Sequence, residues 1–107
     1  MTTFNDRERG YEAHFAKDQE LEFKAQARRD RLLGLWAGER MGLSGEELQT
    51  YALSVFRADL KEPGDDDVFQ KVLADLAAKN VEVLPHELRA RMDDLLATAR
   101  ADLKAGT

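Results

Sequence analysis

Apolar residues recur at helical spacing from about Gln19 onward, and this repeat is the strongest pattern in the chain. On an ideal helix the repeat falls within one arc roughly 120° wide, the width of a stripe that faces a core. The pattern therefore predicts a helix over residues 19–41. Its predicted core positions are Leu21, Ala25, Leu32, Leu33 and Trp36.

The eighteen residues before this helix have much less apolar surface. Their only large apolar side chains are Phe4, Tyr11 and Phe15, which continue the same arc. Three aromatic side chains bury too little area to offset an ordering cost of about 1–2 kcal/mol per residue. Gly10 adds a further penalty inside a helix. Residues 1–18 are therefore predicted to be helix-competent but mobile until they bind a partner.

Three more helices are predicted over residues 45–61, 66–79 and 85–104. Ser44 with Glu47 has the spacing of a capping box, and Pro85 suits the first turn of a helix. Asp65 to Asp67 are expected to cap and stabilise the start of the third helix, and Asn80 to cap its end. The predicted inward positions are Leu48, Tyr51, Ala52, Val55 and Phe56; Val68, Phe69, Val72, Leu73 and Leu76; and Leu88, Met92, Leu95, Leu96, Ala99 and Leu103.

Glycines recur every four residues near the end of the first predicted helix, at Gly34, Gly38 and Gly42. One interpretation is a weakening helix end, with Gly42 as its stop. The other is a smooth face that a second helix approaches closely. Residues 81–84 have strand-like propensity, but they are too short and isolated to build a sheet.

Together these elements predict an all-α fold: a small four-helix bundle with a mobile N-terminal segment. The expected organisation is an interaction segment over residues 1–18 and one helical domain over residues 19–107. With 107 residues the chain has room for one core but not for two.

Charge and composition exclude several classes of function. The net charge is −5, with residues 1–42 neutral and the remainder acidic, which argues against a nucleic-acid-binding protein. There is no cysteine, hence no disulfide and no thiolate metal site. No run of apolar residues is long enough to span a membrane, and none resembles a secretory signal, so a cytoplasmic protein is expected.

The sequence contains no recognisable catalytic or cofactor-binding constellation. His14 and His86 have no partner at motif spacing, and neither glycine-rich phosphate motif occurs. The consecutive acids of residues 65–67 lack the alternation of a calcium loop. We therefore expect no catalytic residue, metal or cofactor.

One basic cluster has two open interpretations. Interleaved with Glu20, Glu22 and Asp30, it is either a solvated helix face or an anchor for an acidic partner or a nucleotide phosphate. Its members are Lys24, Arg28, Arg29 and Arg31.

A combination of segments across the chain resembles one family, the zeta subunit of alphaproteobacterial F-type ATP synthases. The resemblance covers essentially the whole chain, and no single segment is diagnostic. The segments are Phe4-Asn-Asp-Arg-Glu-Arg9, Phe15-Ala16, Leu21-Glu-Phe-Lys-Ala25, Ala27-Arg-Arg29, Arg31-Leu-Leu-Gly34, Trp36-Ala37 and Glu62-Pro-Gly-Asp-Asp-Asp-Val68.

The resemblance implies a small four-helix protein that inhibits ATP hydrolysis. In that family a mobile N-terminal segment becomes helical and wedges between a catalytic and a non-catalytic subunit. The implied partner is the catalytic head of the ATP synthase, through which the protein would lie peripherally at the inner membrane. The free protein is expected to be a monomer. The alternative is a small helical adaptor, or a domain that binds ATP or ADP weakly, without inhibitory activity.

On this chain the implied inhibitory element runs from Thr2 to about Asp18. Its implied buried anchors are the three aromatic residues, and the charged residues between them are its implied polar contacts. The implied partner-binding residues are Phe4, Arg7, Glu8, Arg9, Tyr11, Glu12, Phe15 and Lys17.

Overall fold

A computed structural model describes residues 19–61 and 64–106 and shows four α-helices. Helix α1 is Thr3–Arg40, described from Gln19 onward; α2 is Gly45–Lys61, α3 is Asp66–Ala78 and α4 is Pro85–Lys104. The described residues contain no strand. The predicted all-α four-helix architecture is confirmed. The predicted boundary between a mobile segment and the domain lies outside the described residues.

Two helices end in the same hydrogen-bonded motif. Gly42 has a φ of +86°, and Leu43 N–H donates to the Gly38 carbonyl at 2.9 Å. After α3, Asn80 has a φ of +60°, and Val81 N–H donates to the Leu76 carbonyl at 2.9 Å. A left-handed residue with this backward bond satisfies carbonyls that the helix end leaves free. Gly42 and Asn80 therefore stop their helices, as their positions in the sequence indicate.

The predicted starts of α2 and α4 are confirmed. Helix α2 begins directly after Ser44, and α4 begins with Pro85, whose missing N–H would have no helical partner. The four residues before Pro85 form a connection rather than a strand. Val81 and Val83 in this connection are half-buried and pack against the core.

The core receives side chains from all four helices. Helix α1 packs against both α2 and α4, and α3 closes the remaining side. The predicted stripe is wrong at Leu21, which is 36% exposed because the bundle covers α1 fully only from Ala25 onward. The central cluster consists of Leu33, Ala37, Val55, Val68, Val72, Leu76, Leu88 and Met92.

A polar contact also joins α2 to α3. The Tyr51 hydroxyl donates to the Asp75 carboxylate at 2.9 Å, and the Lys71 ammonium lies 2.9 Å from the same oxygen. Burial and the neighbouring carboxylate both raise the pKa of Tyr51, so the phenol stays protonated. This bond fixes the rotation of α2 relative to α3.

The backbones of α1 and α2 approach each other closely at Gly34. A Cβ atom at Gly34 would lie 2.5 Å from the Ala52 Cα, which is a backbone atom. At Gly38 it would meet the Leu48 Cδ1 at 2.5 Å, the end of a flexible side chain. Each predicted interpretation of the three glycines therefore holds for part of the set. Gly34 and Gly38 form a smooth face that α2 approaches closely, and Gly42 ends the helix.

We predict that Gly34→Ala destabilises the bundle, because the added methyl must push the α2 backbone away. Overpacking of this kind costs about 1–3 kcal/mol, more than the roughly 0.5–1 kcal/mol that alanine returns as helix propensity. Urea unfolding followed by circular dichroism measures the difference. Gly38→Ala is the matched control and should change stability little, since the Leu48 side chain can rotate. A Gly34→Ala variant as stable as the parent would contradict the close approach.

Candidate functional site

The predicted partner-binding residues of the N-terminal segment lie outside the described residues, and their role stays a prediction. These are Phe4, Arg7, Glu8, Arg9, Tyr11, Glu12, Phe15 and Lys17. The structure does describe the part of α1 that directly follows them. This part of α1, which the bundle holds, is the base of the candidate site.

The four residues of the predicted basic cluster do not form one surface. Lys24 is exposed and pairs with Glu20 at 3.3 Å, and Arg28 pairs with Asp102 of α4 at 3.5 Å. Arg31 is exposed at the edge of a groove between α1 and α2. Arg29 is only 1% exposed. Both interpretations of the cluster are wrong for Arg29, because its side chain is buried and bonded to carboxylates.

Arg29 is the centre of a cluster of three carboxylates. Its Nε donates to the neighbouring Asp30 at 2.8 Å, and its Nη2 donates to Asp65 at 2.9 Å. The same Nη2 lies 3.7 Å from Asp59 near the end of α2. One guanidinium thus joins α1 to the end of α2 and to the residue before α3.

The cluster keeps the Arg29 guanidinium charged inside the protein. Burial alone would lower the pKa of Arg29, but its hydrogen bonds to Asp65 and Asp30 outweigh burial and raise that pKa. The hydrogen bond from Arg29 in turn lowers the pKa of Asp65. Arg29 and Asp65 therefore form a charge-assisted pair at neutral pH.

Asp30 is the carboxyl group that this cluster holds in its neutral form. The Asp30 side chain is fully buried, and its Oδ2 accepts no hydrogen bond. Burial, together with the neighbouring Asp59 carboxylate, raises the pKa of Asp30 from 3.8 to about 8. At neutral pH Asp30 therefore keeps its proton, and a protonated Oδ2 needs no donor of its own.

Asp65 differs from its predicted role as a side-chain cap. It occupies the N-cap position of α3, but its side chain makes no capping hydrogen bond. Its carboxylate bonds instead to Arg29, since a buried guanidinium needs a charged partner more than an exposed helix end does. Asp66 and Asp67 lie in the first turn of α3, where negative charge complements the helix dipole.

Two ion pairs on the surface hold α1 against α4 near the first described residues. Arg100 donates to both oxygens of Glu22, and Arg28 faces Asp102. The bond from Arg100 lowers the pKa of Glu22. Each exposed pair contributes little stability, but a bidentate pair fixes orientation. These pairs thus fix the orientation of the described part of α1 relative to α4.

The burial of Arg29 has a signal in the sequence that the prediction missed. Ala25, Arg29, Leu33 and Ala37 are spaced four residues apart, so Arg29 lies within the apolar arc of α1. All four are at most 1% exposed. A charged residue at the centre of an apolar stripe indicates a buried ion cluster, although its carboxylate partners are not evident from the pattern.

No metal-binding cluster is present in the described part of the chain. Its His, Asp and Glu residues form no group of three that could hold a metal ion. His86 is exposed in the first turn of α4, and His14 lies outside the described residues. No helix, over the residues described, is long and apolar enough to cross a membrane.

Comparison with known proteins identifies one family. A family model for the ATPase inhibitor subunit zeta matches residues 1–102. A solved structure, described as a solution NMR structure, is 44% identical in sequence with a TM-score of 0.70, and the match covers 81% of this chain and 99% of the other. No curated protein was found to match the chain.

We predict that Arg29→Ala severely destabilises the domain. Removing the guanidinium takes the hydrogen-bond donor from Asp30 and the cation from Asp59 and Asp65, and breaking a buried ion pair typically costs about 3–5 kcal/mol. Thermal unfolding followed by circular dichroism measures the loss. Arg31→Ala, on the exposed face of the same helix, should stay within about 0.5 kcal/mol of the parent. Equal destabilisation by the two variants would contradict the assigned role of Arg29.

We predict that Asp30→Asn flattens the dependence of stability on pH. Because the folded state raises the pKa of Asp30 to about 8, it keeps a proton that the unfolded chain loses near pH 4. The contribution of the Asp30 carboxyl group to the free energy of unfolding is complete below about pH 4. It falls by up to about 1.4 kcal/mol per pH unit until the pH reaches about 8.

Asparagine resembles the protonated carboxyl and cannot ionise, so this slope should disappear in the variant. Urea unfolding at several pH values from 5 to about 9 measures it. Asp93→Asn changes an exposed carboxylate of α4 and is the control. Parallel curves for Asp30→Asn and the parent would show that Asp30 is ionised in the fold.

Proposed function

This chain belongs to the ATPase inhibitor subunit zeta family, and from that premise we propose that it binds the catalytic head of an F-type ATP synthase and inhibits ATP hydrolysis through residues 1–18. The observation that carries the proposal is the extent of the family match, which begins at residue 1 and includes this segment. Family membership identifies a regulatory rather than a catalytic protein. The proposed position in the cell is cytoplasmic and peripheral at the inner membrane, through the ATP synthase.

In the proposed mechanism the N-terminal segment becomes a helix between a catalytic and a non-catalytic subunit. Phe4, Tyr11 and Phe15 fall on one arc of such a helix and are its proposed buried anchors. The charged residues between them are its proposed polar contacts. A helix lodged in that cleft stabilises one rotational state and opposes the closure that hydrolysis requires.

The anchorage of α1 supports this mechanism. The segment is followed directly by the described part of α1, which the Arg29 cluster and the pair of Glu22 with Arg100 hold against the bundle. A wedge attached to a rigid base loses less conformational freedom on binding than one attached through a flexible linker. The bundle is therefore proposed to act as the fixed body from which the segment reaches its cleft.

The alternative, a helical adaptor or weak nucleotide-binding domain, has no specific observation in its favour. Arg29, one of the four cations proposed for a phosphate, is bonded to carboxylates inside the protein. Lys24 and Arg28 are paired as well.

We predict that replacing Phe4, Tyr11 and Phe15 together by alanine abolishes inhibition of ATP hydrolysis. The variant removes the apolar anchors from the segment and leaves the described core unchanged. The measurement is ATP hydrolysis by the isolated catalytic head of the cognate ATP synthase, with increasing amounts of this protein. Saturable inhibition by the parent is expected, together with a loss of at least tenfold in inhibitory potency for the variant.

Leu84→Ala is the matched control, because Leu84 is exposed and lies in the connection between α3 and α4. It should inhibit as the parent does. Full inhibition by the triple variant would exclude the segment as the inhibitory element. Binding of the parent without inhibition would leave an accessory subunit that lacks the regulatory role.

A further inference from the structure

An apolar strip is exposed on the side of the bundle where α1 and α2 lie together. The described residues include five large exposed apolar side chains, and three of them lie in this strip. Phe23 is 55% exposed, Leu53 is 45% exposed and Leu60 is 56% exposed. A contiguous apolar surface of this kind is typical of a binding site, whereas isolated apolar side chains are ordinary.

The strip is the wall of a continuous groove. Two adjoining cavities, of about 360 Å³ and about 280 Å³, share Ala27 and Phe56 in their lining. The lining runs over residues 23–31 of α1 and from Gln49 to Lys61 of α2. At 1.5 Å per residue these stretches are about 12 Å and 18 Å long, which matches two to three turns of a bound helix.

The charges of the groove differ from those of the protein as a whole. The chain has a net charge of −5, yet the two charged side chains exposed in this lining are Arg31 and Lys61. Within the described residues neither forms an ion pair within 4.0 Å. The third charged residue, Asp59, is 13% exposed and faces Arg29. The groove therefore offers an apolar floor with two cations at its rim that pair with none of the described residues.

We propose that this groove binds an amphipathic helix of the ATPase head, one that presents leucine-like side chains flanked by carboxylates. The inference rests on the proposed function, since it names the second surface through which the protein holds the same partner. Carboxylates of the partner would pair with Arg31 and Lys61, and its apolar side chains would cover Phe23, Leu53 and Leu60. Complementary charge at the rim selects this partner among other apolar helices.

A helix fits this groove better than an extended segment does. The lining is formed by two helices whose backbone groups are already hydrogen-bonded within each helix. An extended chain would bring unpaired N–H and C=O groups against apolar side chains. A helix satisfies its own backbone and presents an apolar stripe at the spacing the groove requires.

A second copy of the chain is a poorer occupant. Symmetric pairing through this strip would bring the same surface of two molecules together. Arg31 and Lys61 of both copies would then meet across one interface without carboxylate partners in the groove. Like charges in such an interface oppose association.

The test compares Leu53→Glu/Leu60→Glu with Leu84→Glu in the full chain. Leu84 is 55% exposed, nearly the same as Leu60, but lies away from the groove. Binding of each protein to the isolated catalytic head is measured by fluorescence titration, and inhibition is measured in parallel. We expect the groove variant to require at least tenfold more protein for half-saturation while it reaches the same maximal inhibition.

Charge is tested separately with Arg31→Glu. This variant should weaken binding several-fold, and its affinity should depend less on salt than that of the parent. Equal half-saturation by the groove variant and Leu84→Glu would overturn the inference.

Failure of the groove and failure of the proposed inhibitory segment give different results. If the groove variant binds weakly while the triple alanine variant of Phe4, Tyr11 and Phe15 still inhibits fully, the groove stands and the segment fails. If the groove variant binds as tightly as the parent while the triple alanine variant no longer inhibits, the segment stands and the groove fails. Absence of binding by the parent would overturn both.

Two other occupants would also overturn the inference. Sedimentation that shows a dimer of the parent, and a monomer of the groove variant, would assign the strip to a second copy. If the triple alanine variant shifts the amide resonances of Phe56 and Leu60 in the free protein, the occupant is the N-terminal segment of the same chain.

Discussion

The buried guanidinium of Arg29 is the interaction on which the arrangement of the bundle depends. It contacts Asp30 on its own helix, Asp59 near the end of α2 and Asp65 before α3, so three helices meet around one positive charge. An ion cluster of this kind is weak evidence for stability, because desolvation offsets most of its attraction. Its effect is directional: few alternative dockings of α2 and α3 on α1 could satisfy the same guanidinium. The neutral form of Asp30 completes the cluster, because burial beside the Asp59 carboxylate disfavours a further negative charge there.

Helix α1 is the common element to which the rest of the bundle is attached. Gly34 lets the backbone of α2 approach so closely that a Cβ atom there would lie 2.5 Å from the Ala52 Cα, and Glu22 holds α4 through Arg100. Between these contacts, Ala25, Arg29 and Leu33 form one continuous buried row along α1. In the proposed mechanism, residues 1–18 would therefore be attached to a part of α1 that the bundle holds rigidly.

In the proposed arrangement one helix serves two contacts with the same partner. Residues 1–18 would enter a cleft of the ATPase head, and the groove that begins at Phe23 would hold a helix on its surface. Two linked contacts raise the effective concentration of the second once the first has formed, so each can be weak by itself. The two contacts would then have different roles, which suits a regulatory subunit. The groove would determine how long the protein stays bound to the enzyme, and the segment would determine whether the enzyme hydrolyses ATP. Positive charge at the groove rim in an acidic protein also steers one class of partner toward that face.

Local signals in the sequence were sufficient for the elements and for much of the core. The spacing of apolar residues located four helices, Gly42 and Asn80 marked two ends, and Pro85 marked a start, because each depends on backbone preferences within a few residues. The inward residues of α3 and α4 followed from the same periodicity, and the family resemblance carried the prediction of an inhibitory role.

The tertiary structure decided what depends on distant partners. Periodicity could not show that α4 leaves Leu21 exposed, that Asp65 turns from its own helix end to Arg29, or that Phe23 and Leu60 come together in one groove. Each of these outcomes is set by contacts between residues far apart in the chain, and the pattern along a single helix records only that a side chain is apolar or charged.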